Sequence, residues 1–536
     1  MRTGCLPGRD EPAGAAGARD VPPRRGLSGE RVRRGPGAGA LYGSTGIFSA
    51  PAPKGERAVS YDLIVIGAGA TGLAAARTAR RAGRRVALVD QSAPGGDCTF
   101  FGCVPSKTLL DVAHRVAGAR DAQQWGLAPV GEVDFGQVMR HVRAVIDRIA
   151  HDESPGQLAQ EGIDLIRGWA RFTSPHTVDI DGRRLEAARF VLATGAHAAI
   201  PPVPGLGDLP YLDNTSVFDL VECPEHLLIV GGGPIGVELA QAFAQLGSRV
   251  TVLEAAGRIL SQEEPEASAV LTAALERDGV TVRTAAALER VLSGPTLLLE
   301  GGEPVSGSHL LLAAGRSPAT CGLGLDRAGV ATGRHGEVLT DRYLRTSAGH
   351  VLAAGDCTSR LQFTHVGDEQ GRLAAGNAFA RPGRVPGFPG GLSAFDDRVV
   401  PWVTFTEPEV GRVGMTEGQA FAVYGRRVRV AVVNLKELDR ARTASRAEGY
   451  IKLIAGPRRF ASSRLLDEVV GLTAVSPAGG ELAAQGALAM RTRMLAARLA
   501  QTIAPYPTYA LGLRLAAARL FGEFGGSGWR PAGPDR

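Results

Sequence analysis

The chain has 536 residues, 44% of them apolar and 21% charged, enough for several folded domains with ample core. Its formal charge is +6, but residues 1–60 hold ten Lys/Arg against five Asp/Glu; the remainder is nearly neutral and offers no nucleic-acid surface. No run reaches the ~20 apolar residues of a membrane span, and six cysteines in so long a chain do not make a secreted disulfide framework, which points to a reducing cytoplasm.

Residues 1–58, rich in Gly, Pro and Ala, read as a disordered tail or as sequence ahead of a true start at Val59. They hold no continuous apolar stretch of the kind a secretory signal needs. A short apolar run at 61–66 then ends in Gly67-Ala68-Gly69-Ala70-Thr71-Gly72. An Ala-rich helical segment follows, and a strand at 85–89 closes on Asp90. Strand, glycine turn, helix, strand and acid make a dinucleotide-binding unit. The first glycine allows the tight turn, the second lets backbone approach a pyrophosphate, the third lets helix pack on strand, and the acid bonds ribose hydroxyls.

Residues 95–107, GGDCTFFGCVPSK, place Cys98 and Cys103 five positions apart at what reads as the opening of one helix. A helix N-terminus stabilises thiolate over thiol. The chain has no second Cys pair or adjacent His to complete a zinc site, so the pair reads as redox-active and no metal site is expected. Asp97 is expected either to cap that helix or to raise a thiol pKa. Phe100 and Phe101 are expected to pack between the helix and a bound flavin.

The dinucleotide unit recurs: a strand at 226–230, then Gly231-Gly232-Gly233-Pro234-Ile235-Gly236, a helix, and a strand at 249–253 ending at Glu254. Two units imply two nucleotides. The first leads into the Cys pair and is expected to hold FAD; the second is expected to hold the nicotinamide cofactor. Glu254 sits where a carboxylate bonds a ribose 2′-hydroxyl and repels a 2′-phosphate, which favours NADH. Arg258 lies slightly beyond and would soften that preference, leaving NADPH possible.

The pattern GG-x-C-x4-C-x-PSK resembles the active-site segment of the flavin-dependent pyridine nucleotide–disulfide oxidoreductases, the family of dihydrolipoamide dehydrogenase, glutathione reductase and mercuric reductase. Further marks carry the resemblance over residues 60–525. Leu192-Ala193-Thr194-Gly195 and Leu312-Ala313-Ala314-Gly315-Arg316 are similar to the two turns where such chains cross between FAD and NAD domains. Residues 351–356, ending in Gly355-Asp356, are similar to a late FAD-contacting segment whose acid bonds the ribityl chain.

The resemblance implies an α/β fold: two Rossmann-like domains, for FAD and NAD(P), and a C-terminal α+β dimerisation domain. The bounds would be 59–198 and 317–390 for the FAD domain and its linker, 199–316 for the NAD(P) domain, 391–525 for the interface domain and 526–536 for a tail. It also implies a homodimer in which each subunit completes its partner's active site. Cys103 would lie against the flavin as the charge-transfer thiolate, and Cys98 would meet the substrate. Lys107 would pair with Glu238 near the flavin N5, its ammonium stabilising reduced flavin; the plainer reading of Glu238 is an ordinary first-turn helix acid.

The pattern breaks at the substrate end. Disulfide reductases of this family carry His-Pro with a Glu five positions after the His; here Tyr506 holds the His position and Leu511 the Glu position, and no His follows His365. A phenol with pKa of about 10 is a poor proton carrier near neutral pH. Tyr506 is a candidate substrate contact or a filler of the vacated site. The segment around Pro505-Tyr506 is similar to mercuric reductase, which carries Tyr there, and soft metal ions held by thiolates need little proton transfer. The Glu and the terminal Cys pair of that branch are, however, missing.

The implied activity is an FAD-dependent NAD(P)H oxidoreductase passing electrons through Cys98 and Cys103 to a small acceptor: a soft metal ion, a quinone or similar. A dihydrolipoamide dehydrogenase with altered acid–base chemistry is one alternative; a diaphorase or redox-sensing flavoprotein with little turnover is another. His365 is expected to pack rather than move protons, and Cys223, Cys321 and Cys357 to be buried structural thiols.

Overall fold

The computed structural model describes residues 59–522 except 130, 359, 360, 382, 386, 388, 389 and 459–463, together with 530 and 531. The expected tail or displaced start at 1–58 lies outside the described residues.

The first sheet grows around β1 (Val59–Ile66), whose apolar run suits a strand covered on both faces; Leu63, Ile64 and Val65 are fully buried. Helix α1 (Ala70–Arg81) leads to β2 (Val86–Asp90), which pairs with β1 in parallel. Four helices follow: α2 (Gly96–Phe100), α3 (Cys103–Asp121), α4 (Phe135–His151) and α5 (Pro155–Gln160). Strand β3 (Asp164–Arg167) then adds to the outer edge of β2. Antiparallel β4 (Ala170–Ser174) and β5 (Thr177–Ile180) turn into β6 (Arg183–Leu192), which lies parallel to β1 on its other side.

After β7 (Ala196–Ala198) a second sheet forms from β8 (His226–Val230), α6 (Pro234–Gln245), β9 (Arg249–Leu253), α7 (Pro265–Arg277) and β10 (Val280–Arg283). A three-stranded antiparallel ribbon intervenes, β11 (Leu288–Val291), β12 (Thr296–Leu299) and β13 (Pro304–Ser306), before β14 (His309–Leu312) returns beside β8. The order is β10-β9-β8-β14, all parallel. Strand β15 (Arg316–Pro318) pairs with β7, so the outgoing and returning crossings are hydrogen-bonded to each other.

The chain rejoins the first sheet through β16 (Val351–Ala353), parallel to β6, and α8 (Thr364–Ala378) packs against α1. The packing is close because Gly371 presents no side chain: a Cβ there would lie 2.2 Å from the Thr71 carbonyl oxygen.

The last sheet is antiparallel. Its elements are β17 (Pro401–Thr404), β18 (Glu409–Gly414), α9 (Glu417–Tyr424), β19 (Arg429–Asn434), α10 (Asp439–Thr443), β20 (Tyr450–Gly456), β21 (Glu468–Ser476), α11 (Gly479–Arg491), α12 (Ala496–Ala500), α13 (Ala510–Arg519) and β22 (Arg530–Pro531). The strand order is β17-β18-β21-β20-β19-β22. Within the expected tail at 526–536, the described residues Arg530 and Pro531 pair with the edge strand β19. Buried charges join this sheet to the second one. Arg412 on β18 meets Glu263 at 2.7 Å, and Lys452 on β20 meets Glu264, Glu266 and Glu417 at 3.0–3.2 Å. Among the described residues no helix is long and apolar enough to cross a membrane.

Candidate active site

The segment carrying the Cys pair is not one helix but two. Helix α2 ends at Phe100, the chain reverses at Phe101-Gly102, and α3 starts with Cys103. Glycine is needed at the reversal, since a Cβ on Gly102 would lie 2.9 Å from the Asp97 carbonyl oxygen. The reversal brings the two sulfurs together. Both are free thiols, and Cys98 donates a hydrogen bond to Cys103. Cys103 Sγ also lies 3.3 Å from Thr364 Oγ1, at the first turn of α8.

These contacts polarise the pair. The Cys98 hydrogen bond is the largest influence pulling Cys103 down, against burial; Thr364 and the Lys107 charge assist and Glu238 opposes, leaving the thiol lowered to about 6. Cys98 is pushed far above the ordinary thiol range by the same hydrogen bond, by burial and by the Cys103 charge. Of the two sulfurs, Cys103 is thus the one that ionises more readily.

Lys107 stands one turn beyond Cys103 on α3 and sends Nζ to within 2.7 Å of Glu238 Oε2. Its ammonium also lies 4.8 Å from the centre of the Phe405 ring. Glu238 is not a first-turn surface acid. It is buried on α6, and its other oxygen accepts the Phe405 backbone N–H at 2.8 Å. One carboxylate thus ties the thiol helix, the second dinucleotide unit and the chain beyond β17.

The two glycine turns are built alike. Gly67 (φ +106°) and Gly231 (φ +114°) turn in the region L side chains avoid, and a Cβ on either would meet a carbonyl oxygen at 2.2 or 2.4 Å. Gly72 and Gly236 sit so close to those turns that a Cβ would overlap the Gly67 or Gly231 oxygen. Above Gly69 and Gly233, the N-caps of α1 and α6, there is room: a Cβ on Gly233 meets nothing, and one on Gly69 meets only the Gly96 Cα at 3.8 Å. Neither helix has a side-chain cap, so each offers its first N–H groups to an anion.

The acids that follow brace these turns. Asp90 accepts from Ala68 N at 2.6 Å and Ser92 N at 2.7 Å, while Glu254 accepts from Gly232 N at 2.6 Å and Ala256 N at 2.7 Å. Each oxygen keeps a lone pair for a ribose hydroxyl. Thr194 and Gly195 leave the C-terminal end of β6, and Gly315 (φ +125°) follows β14. Gly355 donates to Gln370 of α8 at 2.8 Å, which fixes Asp356 beside the α1 end of the cradle. Burial raises the Asp356 carboxyl, with Arg316 pulling it down and Asp97 pushing it up. Two anion-accepting turns, each with an acid behind it, fit a pair of dinucleotides, and the thiols beside the first cradle fit a flavin.

Residues 61–371 match the family model described as pyridine nucleotide-disulphide oxidoreductase, and residues 400–517 match the dimerisation domain of the same family. The chain belongs to the pyridine nucleotide-disulphide oxidoreductases. Its relatives include a mercuric reductase of Streptomyces lividans, 36% identical over 85% of this chain and 95% of that one. A dihydrolipoyl dehydrogenase of Thermus scotoductus is 34% identical over 86% and 97%. Among solved structures, the Cu(II) complex of the HOCl-induced flavoprotein disulfide reductase RclA from Escherichia coli superposes with a TM-score of 0.74 at 29% identity, covering 86% and 99%. The chain is therefore an FAD-dependent, NAD(P)H-linked enzyme of two dinucleotide-binding domains and an interface domain.

Within this oxidoreductase, Asp97 neither caps a helix nor acts on a thiol. Its carboxylate takes Asn214 Nδ2 at 2.6 Å and Arg316 Nη2 at 2.9 Å, and Arg316 lies 3.6 Å from Asp356. The guanidinium thus stands between two acids that would otherwise repel. Phe100 and Phe101 face one another at 6.1 Å, with Phe101 exposed. Arg258 does not point outward to a phosphate; it donates to Leu260, Ser261 and Glu263 carbonyls and to Ser268 Oγ.

Tyr506 is 71% exposed in the single chain and donates to Asp439 at 2.8 Å. His365 donates to the Pro401 carbonyl at 2.7 Å and stacks on Phe363, which is packing. Cys357 is buried and Cys223 half-buried, but Cys321 is exposed, because it lies in the loop after β15 rather than in a sheet. Thr364, Asn214 and Asp439 were invisible as site residues in the sequence. Each meets its partner across at least 67 positions, with no local spacing to mark it.

Proposed function

We propose that this enzyme carries electrons from NADH through FAD and the Cys98/Cys103 pair to a soft metal cation, as a homodimer in the reducing cytoplasm. The observation that carries this reading is the pair of thiols, with Cys98 the harder to ionise, and no imidazole after His365 to relieve it of its proton. A disulfide acceptor needs a base for Cys98 and an acid for the leaving thiol. A soft cation needs neither, since thiolate coordination itself displaces the proton to solvent. The relatives agree with this reading: several are mercuric reductases, and one similar structure is a Cu(II) complex of RclA.

Bound FAD would supply hydride acceptance from the nicotinamide and delivery of an electron pair to the disulfide. Two electrons and one proton convert the Cys98–Cys103 disulfide to a Cys98 thiol and a Cys103 thiolate. Lys107, held by Glu238, places a positive charge beside that thiolate. Gly67, Gly69 and Gly72 with Asp90, Thr194, Gly195, Gly355 and Asp356 would hold FAD. Gly231, Gly233, Gly236, Glu254 and Gly315 would hold the nicotinamide nucleotide, and Tyr506 would face the acceptor in the partner subunit. NADH is favoured because Glu254 repels a 2′-phosphate and Arg258 is committed to its own loop.

The deciding experiment is NADH oxidation with Hg(II) in excess thiol, Cu(II), menadione and lipoamide as acceptors, using the native enzyme and Cys98→Ser. Metal-dependent oxidation lost in Cys98→Ser supports the reading. Equal rates in both proteins with menadione alone would make it a diaphorase, and rapid lipoamide turnover would make it a dihydrolipoamide dehydrogenase with another base.

A further inference from the structure

We propose that Asp97 and Thr99, the two neighbours of Cys98, are positioning residues that moor α2 and so hold Cys98 within bonding reach of Cys103. The inference rests on the dithiol electron path proposed above and names what keeps that pair ready to close.

The two sulfurs are carried on unequal supports. Cys103 opens α3, 19 residues long, whose Leu109, Leu110 and Ala113 are buried in an apolar core. Cys98 rides on α2, five residues with no side-chain cap. A single helical turn is unstable by itself and persists only through tertiary contacts. Yet among the described residues no α2 side chain belongs to an apolar core. Phe101, where the chain leaves α2, is exposed.

Polar bonds replace the missing core. Asp97 takes Asn214 Nδ2 at 2.6 Å and Arg316 Nη2 at 2.9 Å, one from each crossing between the dinucleotide domains. Thr99 is buried and donates to Glu153 Oε2 at 2.9 Å, across 54 positions, in the turn between α4 and α5. Glu153 is lodged against the start of α2, since a Cβ on Gly95 would lie 2.7 Å from the same oxygen. Successive helix residues turn by about 100°, so residues 97 and 99 face opposite sides. The short helix is therefore held from two sides with Cys98 between the moorings. Each mooring uses a carboxylate, and hydrogen bonds to ionised groups are about twice as strong as neutral ones.

The consequence is preorganisation. Closing the disulfide takes two electrons and two protons from the thiols and forms one S–S bond. With α2 moored, the dithiol already holds Cys98 against Cys103, close enough for a hydrogen bond between the sulfurs. Closure then has little left to order. With a mooring cut, the dithiol gains freedom that closure must take back, whereas the disulfide keeps α2 in place by its own covalent link. The equilibrium therefore moves toward the dithiol.

The test equilibrates the holoenzyme anaerobically with mixtures of reduced and oxidised glutathione. Acid quenching, alkylation and peptide mass spectrometry read the fraction of Cys98–Cys103 disulfide. Each protein disulfide formed converts one oxidised glutathione to two reduced ones, which defines the equilibrium constant. Thr99→Val should lower that constant about tenfold, equivalent to a rise of about 30 mV in the potential of the disulfide. Thr99→Ser should restore it. Asp97→Asn, neutral and with one acceptor oxygen for two donors, should lower it about threefold. Thr108→Val removes a hydroxyl that bonds the Val104 carbonyl within α3, and should leave the constant in place. A constant unchanged in Thr99→Val, or lowered as far in Thr108→Val, would overturn the proposal. If the native enzyme forms no Cys98–Cys103 disulfide at any glutathione ratio, the dithiol electron path itself fails. Amide hydrogen exchange over residues 96–101 then decides the mooring separately: faster exchange in Thr99→Val and Asp97→Asn than in the native holoenzyme supports it, and equal protection overturns it.

Discussion

Lys107 Nζ and Glu238 Oε2 lie 2.7 Å apart across 131 positions of sequence, and the two side chains are unequally exposed, 34% against 4%. The inequality makes their removal asymmetric. Lys107→Met leaves a buried carboxylate that keeps the hydrogen bond from Phe405 N–H but loses its cation. Removing one partner of a fully buried pair costs about 3–5 kcal/mol; with a third of Lys107 in solvent the expected cost is about 2 kcal/mol. Glu238→Gln keeps an acceptor for Phe405 N and leaves a cation that reaches water, so it should cost less. The double variant should be more stable than Lys107→Met alone. Urea unfolding of the three holoproteins checks this order, and a Lys107→Met protein as stable as Glu238→Gln would contradict it.

The same lysine sets a pH dependence. Cys103 is lowered to about 6, first by the Cys98 hydrogen bond and further by the Lys107 charge. A thiol whose pKa falls in the folded protein is thiolate above that value and thiol below it. The long-wavelength absorbance of the two-electron-reduced native enzyme should therefore be full at pH 8 and fade as pH falls through about 6. Lys107→Met should move the fading to higher pH, because an attraction for the anion is lost. Anaerobic NADH titrations at a series of pH values measure both; a Lys107→Met midpoint at or below the native one would refute the assignment.

Legibility in the sequence divided along physical lines. The glycine turns were readable because each requirement is local: Gly67 and Gly72, or Gly231 and Gly236, meet within six positions, and the clash a Cβ would make is fixed by backbone alone. Lys107 and Glu238 became readable only through family resemblance, since nothing in their own neighbourhoods announces a partner. Asp97 was misread for the same reason. Its partners, Asn214 and Arg316, arrive from the two crossings, 117 and 219 positions away. The break between α2 and α3 was missed because Gly102 looks like any glycine until the reversal puts it against the Asp97 carbonyl.

Nucleotide choice should follow Glu254 and ignore Arg258. Glu254→Gln removes the negative charge while keeping a side chain of the same length behind Gly232, so kcat/KM with NADPH should rise at least about tenfold relative to NADH. Arg258→Ala should leave that ratio unchanged, because its guanidinium is spent on Leu260, Ser261, Glu263 and Ser268. Steady-state kinetics with both nucleotides test the pair, and a ratio that moves in Arg258→Ala would show that the loop opens to bind phosphate.

Tyr506 should behave as a neutral phenol through the working pH range. Its hydroxyl donates to Asp439, whose charge further disfavours the phenolate, so its pKa lies above the ordinary value. Asp439→Asn removes the charge and should bring the phenol down toward about 10. The ultraviolet difference between each protein and its Tyr506→Phe counterpart isolates that one titration. A Tyr506 midpoint indifferent to Asp439→Asn would mean the contact does not persist in the assembled enzyme.

The strongest stability effect is expected far from the thiols, at Lys452. Its side chain is 2% exposed and serves Glu264, Glu266 and Glu417 together, so it joins β20 to the chain entering α7. Burial pulls its pKa down, but the three carboxylates more than offset this and leave it raised. Lys452→Met removes the cation these acids share and should cost about 3–5 kcal/mol. Glu266→Gln, at a side chain 37% exposed, should cost under about 1 kcal/mol. A lysine raised in the folded state contributes its stability in full below its ordinary value of 10.5 and loses it only as pH climbs through the higher folded value. The gap between native and Lys452→Met unfolding free energies should accordingly stay constant from pH 7 to 9. A gap that closes within that window would show that the lysine is already losing its proton there, and that the carboxylates do not hold it charged.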